Sequence, residues 1–164
     1  MLTLTKSFSA DEYEQALSTW RWAGVEGKTP VLASLFGDVF LQDARGYWFL
    51  DTLEGTLTRT WRTRDEVQAA LDSDDGQDRY LMGAFAGNRE RAGVILGPSD
   101  VYAFAVPPRL GGPVTLDNVT VMPFVVIMRV LGQLHQQLDD LPDGTPVHGL
   151  DVDDLGNVTL RRTP

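Results

Sequence analysis

The sequence predicts a single α+β domain, in which an antiparallel sheet built from an N-terminal meander plus later strands packs against about four helices. The strand-like runs follow one another across short turns, and the helical runs are clustered instead of alternating with strands. No internal repeat, low-complexity segment or Gly/Ser-rich linker divides the 164 residues. We therefore expect one domain over residues 1–164.

The N-terminal third predicts one helix followed by three strands. Ser9 and Glu12 have the spacing of a capping box, and apolar residues follow them at helical intervals. Turn-forming residues then separate short runs that are rich in β-branched and aromatic side chains. The expected elements are a helix at 10–22, a β-rich run at 36–41, a return strand at 47–51 and a third strand at 57–61.

The rest of the chain predicts three more helices and the later strands. Thr63 and Glu66 repeat the capping-box spacing, and Gly93 supplies a C-terminal stop for the helix before it. Proline and glycine residues break the chain between the later runs. The expected elements are helices at 64–72, 75–91 and 124–140, strands at 101–106 and 115–122, and a C-terminal hairpin at 147–162.

The charge balance of the chain is strongly acidic. Fourteen basic and 23 acidic residues give a net charge of −9, and a field of that sign repels phosphate backbones and anionic lipid headgroups. We therefore expect neither direct nucleic-acid binding nor membrane binding. Two explanations of the acidity stand, namely a general contribution to solubility and a surface complementary to a cationic partner.

The cysteine content and the apolar runs of the sequence indicate the cellular compartment of the protein. The chain has no cysteine, which excludes disulfides, thiolate zinc sites and a cysteine nucleophile. The N-terminal residues reach acidic side chains before an apolar run of signal-peptide length, so no export signal is predicted. The longest apolar stretch, 119–134, is interrupted by polar residues and falls short of a membrane span. We expect a cytoplasmic protein, and these patterns leave its oligomeric state open.

Catalytic machinery is not apparent in the sequence. His135 and His148 are the only histidines, and no serine or cysteine elbow is present for either of them to activate. His135 lies on the last long helix, where a structural role competes with a role as general base. No phosphate loop or cofactor motif occurs. We therefore expect a protein that is not an enzyme and that holds no cofactor.

Two carboxylate-rich stretches could supply metal ligands or serve structural roles. The first consists of Asp72, Asp74, Asp75 and Asp78. It flanks a predicted helix start, where acidic side chains complement the helix dipole. The second consists of Asp151, Asp153, Asp154, Gly156 and Asn157. It lacks the twelfth-position glutamate of a calcium loop and fits a hairpin turn. We predict no metal site.

One of the four tryptophans is a candidate interface anchor. If the first helix runs through residue 22, Trp20 faces inward and Trp22 lies about 200° away on the helix surface. Exposed tryptophans are typical anchors of protein interfaces. The alternative is that Trp22 packs under the loop that leads to Pro30.

Several segments together resemble one bacterial protein family. In chain order they are Phe36 to Leu41, Phe49-Leu50-Asp51 with Leu53-Glu54-Gly55, Leu96-Gly97-Pro98 before Tyr102-Ala103-Phe104, Asn118 to Met122, Leu131 to Gln137 and Asp140-Leu141-Pro142. This string is similar to the C-terminal domain of type VI secretion DNase-immunity proteins, formerly a domain of unknown function. The residues that carry the pattern are Gly37, Asp38, Asp51, Gly55, Gly132, Gln133 and His135.

The resemblance covers roughly residues 30–144 and implies a binding function in which this chain catalyses no reaction. Family members with assigned roles bind a cognate nuclease effector and silence it. The family domain usually follows a GAD-like domain, whereas about 30 residues precede the match here. The hairpin at 147–162 lies outside the match, and such an addition could serve toxin choice or cover a sheet edge.

The resemblance and the charge together predict a cytoplasmic immunity-type protein that binds and neutralises a cognate basic toxin, in particular a type VI secretion nuclease effector. The expected partner-binding residues are Trp22, Asp74, Asp75, Asp78, Asp153 and Asp154. The alternative is a small-molecule-binding or regulatory module with a pocket between the sheet and the C-terminal helix that carries His135.

Overall fold

A computed structural model describes residues 3–162 of the chain. It contains five α-helices and nine strands in these residues, together with three short 3-10 turns. The helices are α1 Ala10–Leu17, α2 Arg64–Asp72, α3 Asp74–Leu81, α4 Gly83–Arg91 and α5 Phe124–Asp139. The strands are β1 Thr5–Lys6, β2 Thr29–Ser34, β3 Val39–Asp43, β4 Gly46–Asp51, β5 Thr56–Trp61, β6 Asp100–Phe104, β7 Val119–Pro123, β8 Val147–Val152 and β9 Val158–Arg162.

Strands β1 to β5 form one antiparallel meander in which each strand pairs with the next along the chain. Strands β3 and β4 are apolar at successive positions because both faces of the sheet are covered. Val39 and Leu41 enter the core on one face, whereas Phe40 between them enters the core on the other. The fold class is α+β, as the sequence predicts.

Different helices cover the two faces of the meander. On the first face, α1 and α5 pack together and bury Trp20, Phe124 and Met128 completely. On the second face, α2 and α3 bring Val67 and Leu81 against the aromatic side chains of β3, β4 and β5. The acidic α2–α3 segment and helix α5 therefore lie on opposite sides of the sheet.

The later strands form two separate hairpins rather than extending the meander. Strand β6 pairs with β7, and β8 pairs with β9. The β6–β7 hairpin is joined to the first sheet by a hydrogen bond from Tyr102 N to Leu35 O, 2.7 Å long. The β8–β9 hairpin packs on α5 through β9, where Val158 is buried.

The strand expected at 115–122 begins only at Val119, after a 3-10 turn at Leu116–Asn118. Three other predicted element boundaries are wrong, and in two of these three a residue in the left-handed region marks the break. The run at 36–41 is a tight turn followed by β3, because Gly37 has a φ of +89° and the strand ends at Ser34. The helix at 75–91 is two helices, since Met82 has a φ of 50°. That bend lets Leu81 enter one core cluster and Ala86 another.

The third difference is at the first helix, which ends at Leu17 and not at residue 22. A 3-10 turn at Arg21–Ala23 follows, closed by Gly24 with a φ of 102°. The break allows the indole N–H of Trp20 to donate to Met128 O on α5 at 2.8 Å. Between residues 3 and 162, no helix has the length and apolar character needed to cross a membrane.

Candidate functional site

A buried polar network joins the first sheet to α5. Asp38 Oδ1 accepts hydrogen bonds from Thr52 N at 2.8 Å and from Thr52 Oγ1 at 2.7 Å. The carbonyl oxygen of Thr52 in turn lies 2.8 Å from His135 Nε2. Ser34 Oγ donates to Asp38 Oδ2 at 3.0 Å. Thr52 therefore connects the β2–β3 turn, through Asp38, to the last long helix.

The protonation of His135 follows from its partners. A carbonyl oxygen can only accept, so His135 Nε2 carries the hydrogen that it shares with Thr52. The other ring nitrogen, Nδ1, lies 3.2 Å from Arg109 Nη1, which also donates to Asp139 Oδ1 at 3.0 Å. Nδ1 is then an acceptor, and the imidazole is neutral with both nitrogens engaged inside the fold.

Burial shifts the pKa of both ionisable groups in this network. Desolvation lowers the pKa of His135, and the nearby guanidinium of Arg109 lowers it further, against the raising effect of the hydrogen bond to Thr52. Desolvation raises the pKa of Asp38 to about 6, although the hydrogen bonds from Thr52 and Ser34 favour the charged carboxylate. Both side chains are buried, so a change of charge on either one is costly.

Two glycines of the family pattern permit the close approach of α5 to its neighbours. A Cβ at Gly55 would lie 2.4 Å from His135 Cγ, and one at Gly132 would lie 2.7 Å from Thr19 O. Gly132 O also accepts the indole N–H of Trp22 at 3.0 Å. Larger residues at either position would push α5 away from the sheet or from the segment that follows α1.

The remaining residues of the family pattern organise turns and anchor the C-terminal hairpin. Asp51 Oδ1 accepts the backbone N–H groups of Leu53 and Glu54 in the β4–β5 turn. The side chain of Gln133 binds both Gly156 O, at 2.8 Å, and Val158 N, at 2.9 Å. Gln133 thus holds the hairpin that lies outside the family resemblance.

A small cavity adjoins His135 at the place where the alternative function predicts a pocket. Thr52 and Leu53 line it from the meander, Tyr102 from β6, and Leu131 and His135 from α5. Its volume is about 20 Å³, room for roughly one water molecule. A metabolite would require the surrounding side chains to move.

The carboxylates of Asp72, Asp74, Asp75 and Asp78 form an exposed group at the α2–α3 junction, here called the acidic corner. Ser73 ends α2 and caps α3, accepting the backbone N–H of Gly76 at 3.0 Å. Asp74 and Asp75 then lie in the first turn of α3, where the helix dipole favours negative charge. None of the four takes part in an ion pair within residues 3–162. The acidic corner is an exposed anionic surface whose carboxylates make no ion pair in the described part of the chain.

The carboxylates of the C-terminal hairpin are partly used by the turn itself. Asp153 accepts hydrogen bonds from Leu155 N, Asn157 N and Asn157 Nδ2, and the bonds from Asn157 are the largest cause of its lowered pKa. Asp154 is exposed beside it. In the described part of the chain, no group of three or more His, Asp or Glu side chains is arranged to hold a metal ion.

Trp22 is not the surface anchor that helical phase suggests. Because α1 ends at Leu17, the 200° offset does not apply, and Trp22 packs half-buried against α5 with its indole N–H bound to Gly132 O. Its ring stacks on Trp20, with centroids 5.9 Å apart. The exposure predicted for Trp22 from helical phase is therefore wrong, while contact of Trp22 with a partner stays a prediction.

The predicted partner-binding residues do not form one surface. Asp74, Asp75 and Asp78 lie with α3 on the second face of the meander, whereas Asp153 and Asp154 lie on the hairpin that packs on α5. Sequence reasoning also missed Thr52 and Arg109, the partners of His135. Thr52 follows Asp51 in a turn that the sequence predicts. No local pattern, however, indicates the hydrogen bond between Thr52 O and His135.

No protein-family model matches the chain, and no curated protein matches it either. Among solved structures, the crystal structure of Atu4351 from Agrobacterium tumefaciens is similar over 98% of this chain and 77% of that chain, with a TM-score of 0.53. The two sequences are 12% identical. At that identity the likeness shows the fold alone, which is the α+β architecture described above.

Proposed function

We propose that this chain is an immunity-type protein that binds a basic toxin, of the type VI secretion nuclease class, and blocks it without chemistry of its own. The observation that carries the proposal is the acidic corner, whose four carboxylates are exposed and make no ion pair with residues 3–162. The sequence resemblance supplies the class of partner.

The acidic corner suits a cationic partner for two physical reasons. A nuclease surface that grips phosphates is basic, and opposite charges speed the encounter of two proteins and orient them. Carboxylates that are not already paired within the fold can form new ion pairs without first breaking old ones. Asp74, Asp75 and Asp78 are therefore better placed for this role than Asp153, whose oxygens already bind the hairpin turn.

The helix that carries most of the acidic corner, α3, is also packed firmly on the sheet. Tyr80 on α3 packs edge-on against Trp61, with ring centroids 4.9 Å apart, and Leu81 is buried below it. A surface held in this way loses little conformational entropy when a partner binds. The partner would meet a preformed patch on the second face of the meander, far from the His135 network.

The test is protection against, and binding of, a basic nuclease toxin of the type VI secretion class, sought among the genes that neighbour the gene for this chain. Co-expression of the chain should restore growth of cells that make that toxin, and the purified proteins should associate. The triple variant Asp74→Asn, Asp75→Asn and Asp78→Asn should slow association about tenfold at low salt and weaken protection, and added salt should reduce the difference.

A matched control removes three charges elsewhere. Glu14, Glu54 and Glu90 are exposed and make no ion pair in the described residues, so the triple change to glutamine gives the same net charge. It should leave association within about twofold of the unmodified chain. Equal losses in both variants would show that net charge alone matters, and the absence of protection by the unmodified chain would overturn the proposal.

A further inference from the structure

A second feature of the molecule is an apolar cleft of about 460 Å³ between the C-terminal hairpin and the body of the protein. Val126 and Val130 of α5 form its floor, Val106 and Met122 come from the β6–β7 region, and Val152 comes from β8. The volume lies within the range of about 300–1,000 Å³ that small-molecule sites occupy. It includes no residue of the acidic corner, and it adjoins the His135 cavity, with which it shares Phe104, Pro107 and Ile127.

The cleft gathers apolar side chains that the fold leaves exposed. Seven large hydrophobic residues are exposed in the described chain, and three of them, Val106, Val126 and Val152, line this cleft with exposures of 46–47%. Scattered exposed valines are ordinary, but a concave group of them is a typical binding surface. The cleft therefore offers favourable burial for an apolar ligand.

The charge of the lining differs from that of the whole protein. Although the chain carries a net charge of −9, no Asp or Glu lines the cleft, and its ionisable lining residues are Arg161 and His148. Arg161 brings a permanent positive charge to an otherwise apolar lining, and Asp151, which is outside the lining, pairs with its Nε at 3.5 Å. A ligand complementary to this lining has an apolar body and a single anionic group.

The hairpin is built so that Arg161 reaches the cleft. A register shift between Val147 and Gly149 interrupts the β8–β9 pairing, and Gly149 has a φ of +148°. The guanidinium of Arg161 crosses the strand beside Gly149, where a Cβ would lie 2.8 Å from Nη2 and would displace the end of the arginine side chain. Arg161 Nε lies 3.5 Å from Asp151, and Nη2 donates to Leu150 O at 3.3 Å. Nη1 has no hydrogen-bond partner among residues 3–162 and is available to a ligand.

We propose that this cleft binds a single-chain aliphatic carboxylate, with the chain along Val106, Val126 and Val152 and the carboxylate on Arg161. The hairpin forms one wall of the cleft and is anchored near its turn by Gln133 and Gln137, which bind Gly156 and Val158. Residues 147–162, which lie outside the family resemblance, make only one wall of the site, and the proposal does not depend on toxin binding.

The test is isothermal titration of the full chain with octanoate, decanoate and dodecanoate, each below its micelle concentration. Binding should be saturable with one ligand per chain, and the affinity should rise about fourfold for each added methylene. Dodecyltrimethylammonium, which has the same chain and the opposite charge, should bind more weakly than dodecanoate. An equal or greater affinity for the cation, or no saturable binding of dodecanoate, would overturn the proposal.

Two variants locate the site. Val126→Asp places a carboxylate on the cleft floor and should abolish dodecanoate binding, whereas Val31→Asp, at a valine exposed to a similar extent outside the cleft, should not change it. Arg161→Gln should weaken binding about fivefold. Undiminished binding by Val126→Asp, or a dimer of the unmodified chain that Val126→Asp dissociates, would contradict the proposal.

The same variants test the toxin proposal and the ligand proposal independently of each other. Val126→Asp should leave toxin association unchanged, and the triple asparagine variant of the acidic corner should leave dodecanoate binding unchanged. If Val126→Asp instead abolished toxin association and dodecanoate did not bind, the cleft would belong to the protein interface and the ligand proposal would fail.

Discussion

Gly55 lies so close to His135 that a methyl group at position 55 would stand 2.4 Å from the imidazole Cγ. The two residues are 80 positions apart in the sequence, and they belong to different segments of the family pattern. Their contact lets His135 reach Thr52 O, 2.8 Å away, and so fixes α5 against the β4–β5 turn. Gly55 and His135 therefore join the sheet to the helix.

The first prediction concerns Gly55→Ala. The added methyl would collide with the buried imidazole, and the residue would also be forced to keep a φ of +73°. We expect a loss of about 3 kcal/mol in the free energy of unfolding, measured by urea denaturation. Gly27→Ala is the control, because Gly27 has a φ of +75° with nothing within 4 Å; it should lose only about 1 kcal/mol. Equal losses would contradict the close contact.

The second prediction is that His135 makes the fold sensitive to mild acid. Its pKa in the folded chain is lowered from the ordinary value of 6.5, chiefly by burial. Below pH 6.5 the unfolded chain therefore binds this proton more readily than the folded one, so stability falls as the pH drops. Protonation would also turn Nδ1 from an acceptor into a donor facing Arg109 Nη1.

The measurement compares the unmodified chain with His135→Gln, which cannot titrate, by urea denaturation between pH 7.5 and pH 5. Other titrating groups contribute equally to both proteins, so the difference in unfolding free energy isolates His135. The advantage of the unmodified chain should shrink as the pH falls below about 6.5. A difference that stays constant over this range would show that His135 titrates normally in the fold.

The third prediction concerns Asp38, whose effect has the opposite sign. Burial raises its pKa from 3.8 to about 6, so the folded chain binds this proton more readily than the unfolded one between those values. Stability contributed by Asp38 therefore increases as the pH falls from 6 toward 4, by about 3 kcal/mol in total. Relative to Asp38→Asn, the unmodified chain should gain stability over that range; a relative loss would contradict the raised pKa.

Local signals predicted much of the secondary structure because they act within a few residues. The spacing of Ser9 and Glu12 predicts a cap, and the two residues form a reciprocal capping box at the start of α1. Thr63 likewise caps α2 by accepting Glu66 N, 3.2 Å away. The errors lie where tertiary contacts override such signals, as at Met82, whose left-handed conformation no sequence pattern indicates.

The candidate site was harder to predict because its contacts span long sequence separations. His135 could be identified as a residue of interest on its helix, but its partners Thr52 and Arg109 come from two other segments. The position of Trp22 depends on where α1 ends, and the break after Leu17 accompanies a long-range bond, from Trp20 Nε1 to Met128 O on α5, that no local pattern indicates. The prediction that the carboxylates contact a toxin remains untested.

The fourth prediction is that Gln133 holds the C-terminal hairpin on α5. Its amide donates to Gly156 O and accepts from Val158 N, so Gln133→Ala would leave both backbone groups without these partners. The loss of about 1–2 kcal/mol should be local, because the meander core does not involve residue 133. Hydrogen exchange of the Val158 amide should accelerate about tenfold, while that of the β3 amides stays unchanged.

Gln136→Ala provides the control for this prediction, since Gln136 is exposed on the same helix and its side chain makes no hydrogen bond within residues 3–162. It should leave exchange at Val158 within about twofold of the unmodified chain. Opening of the hairpin in Gln133→Ala should also weaken dodecanoate binding, because one wall of the cleft, with Arg161, moves with β8 and β9. Unchanged exchange at Val158 would mean that packing of β9 on α5, and not the Gln133 amide, keeps the hairpin in place.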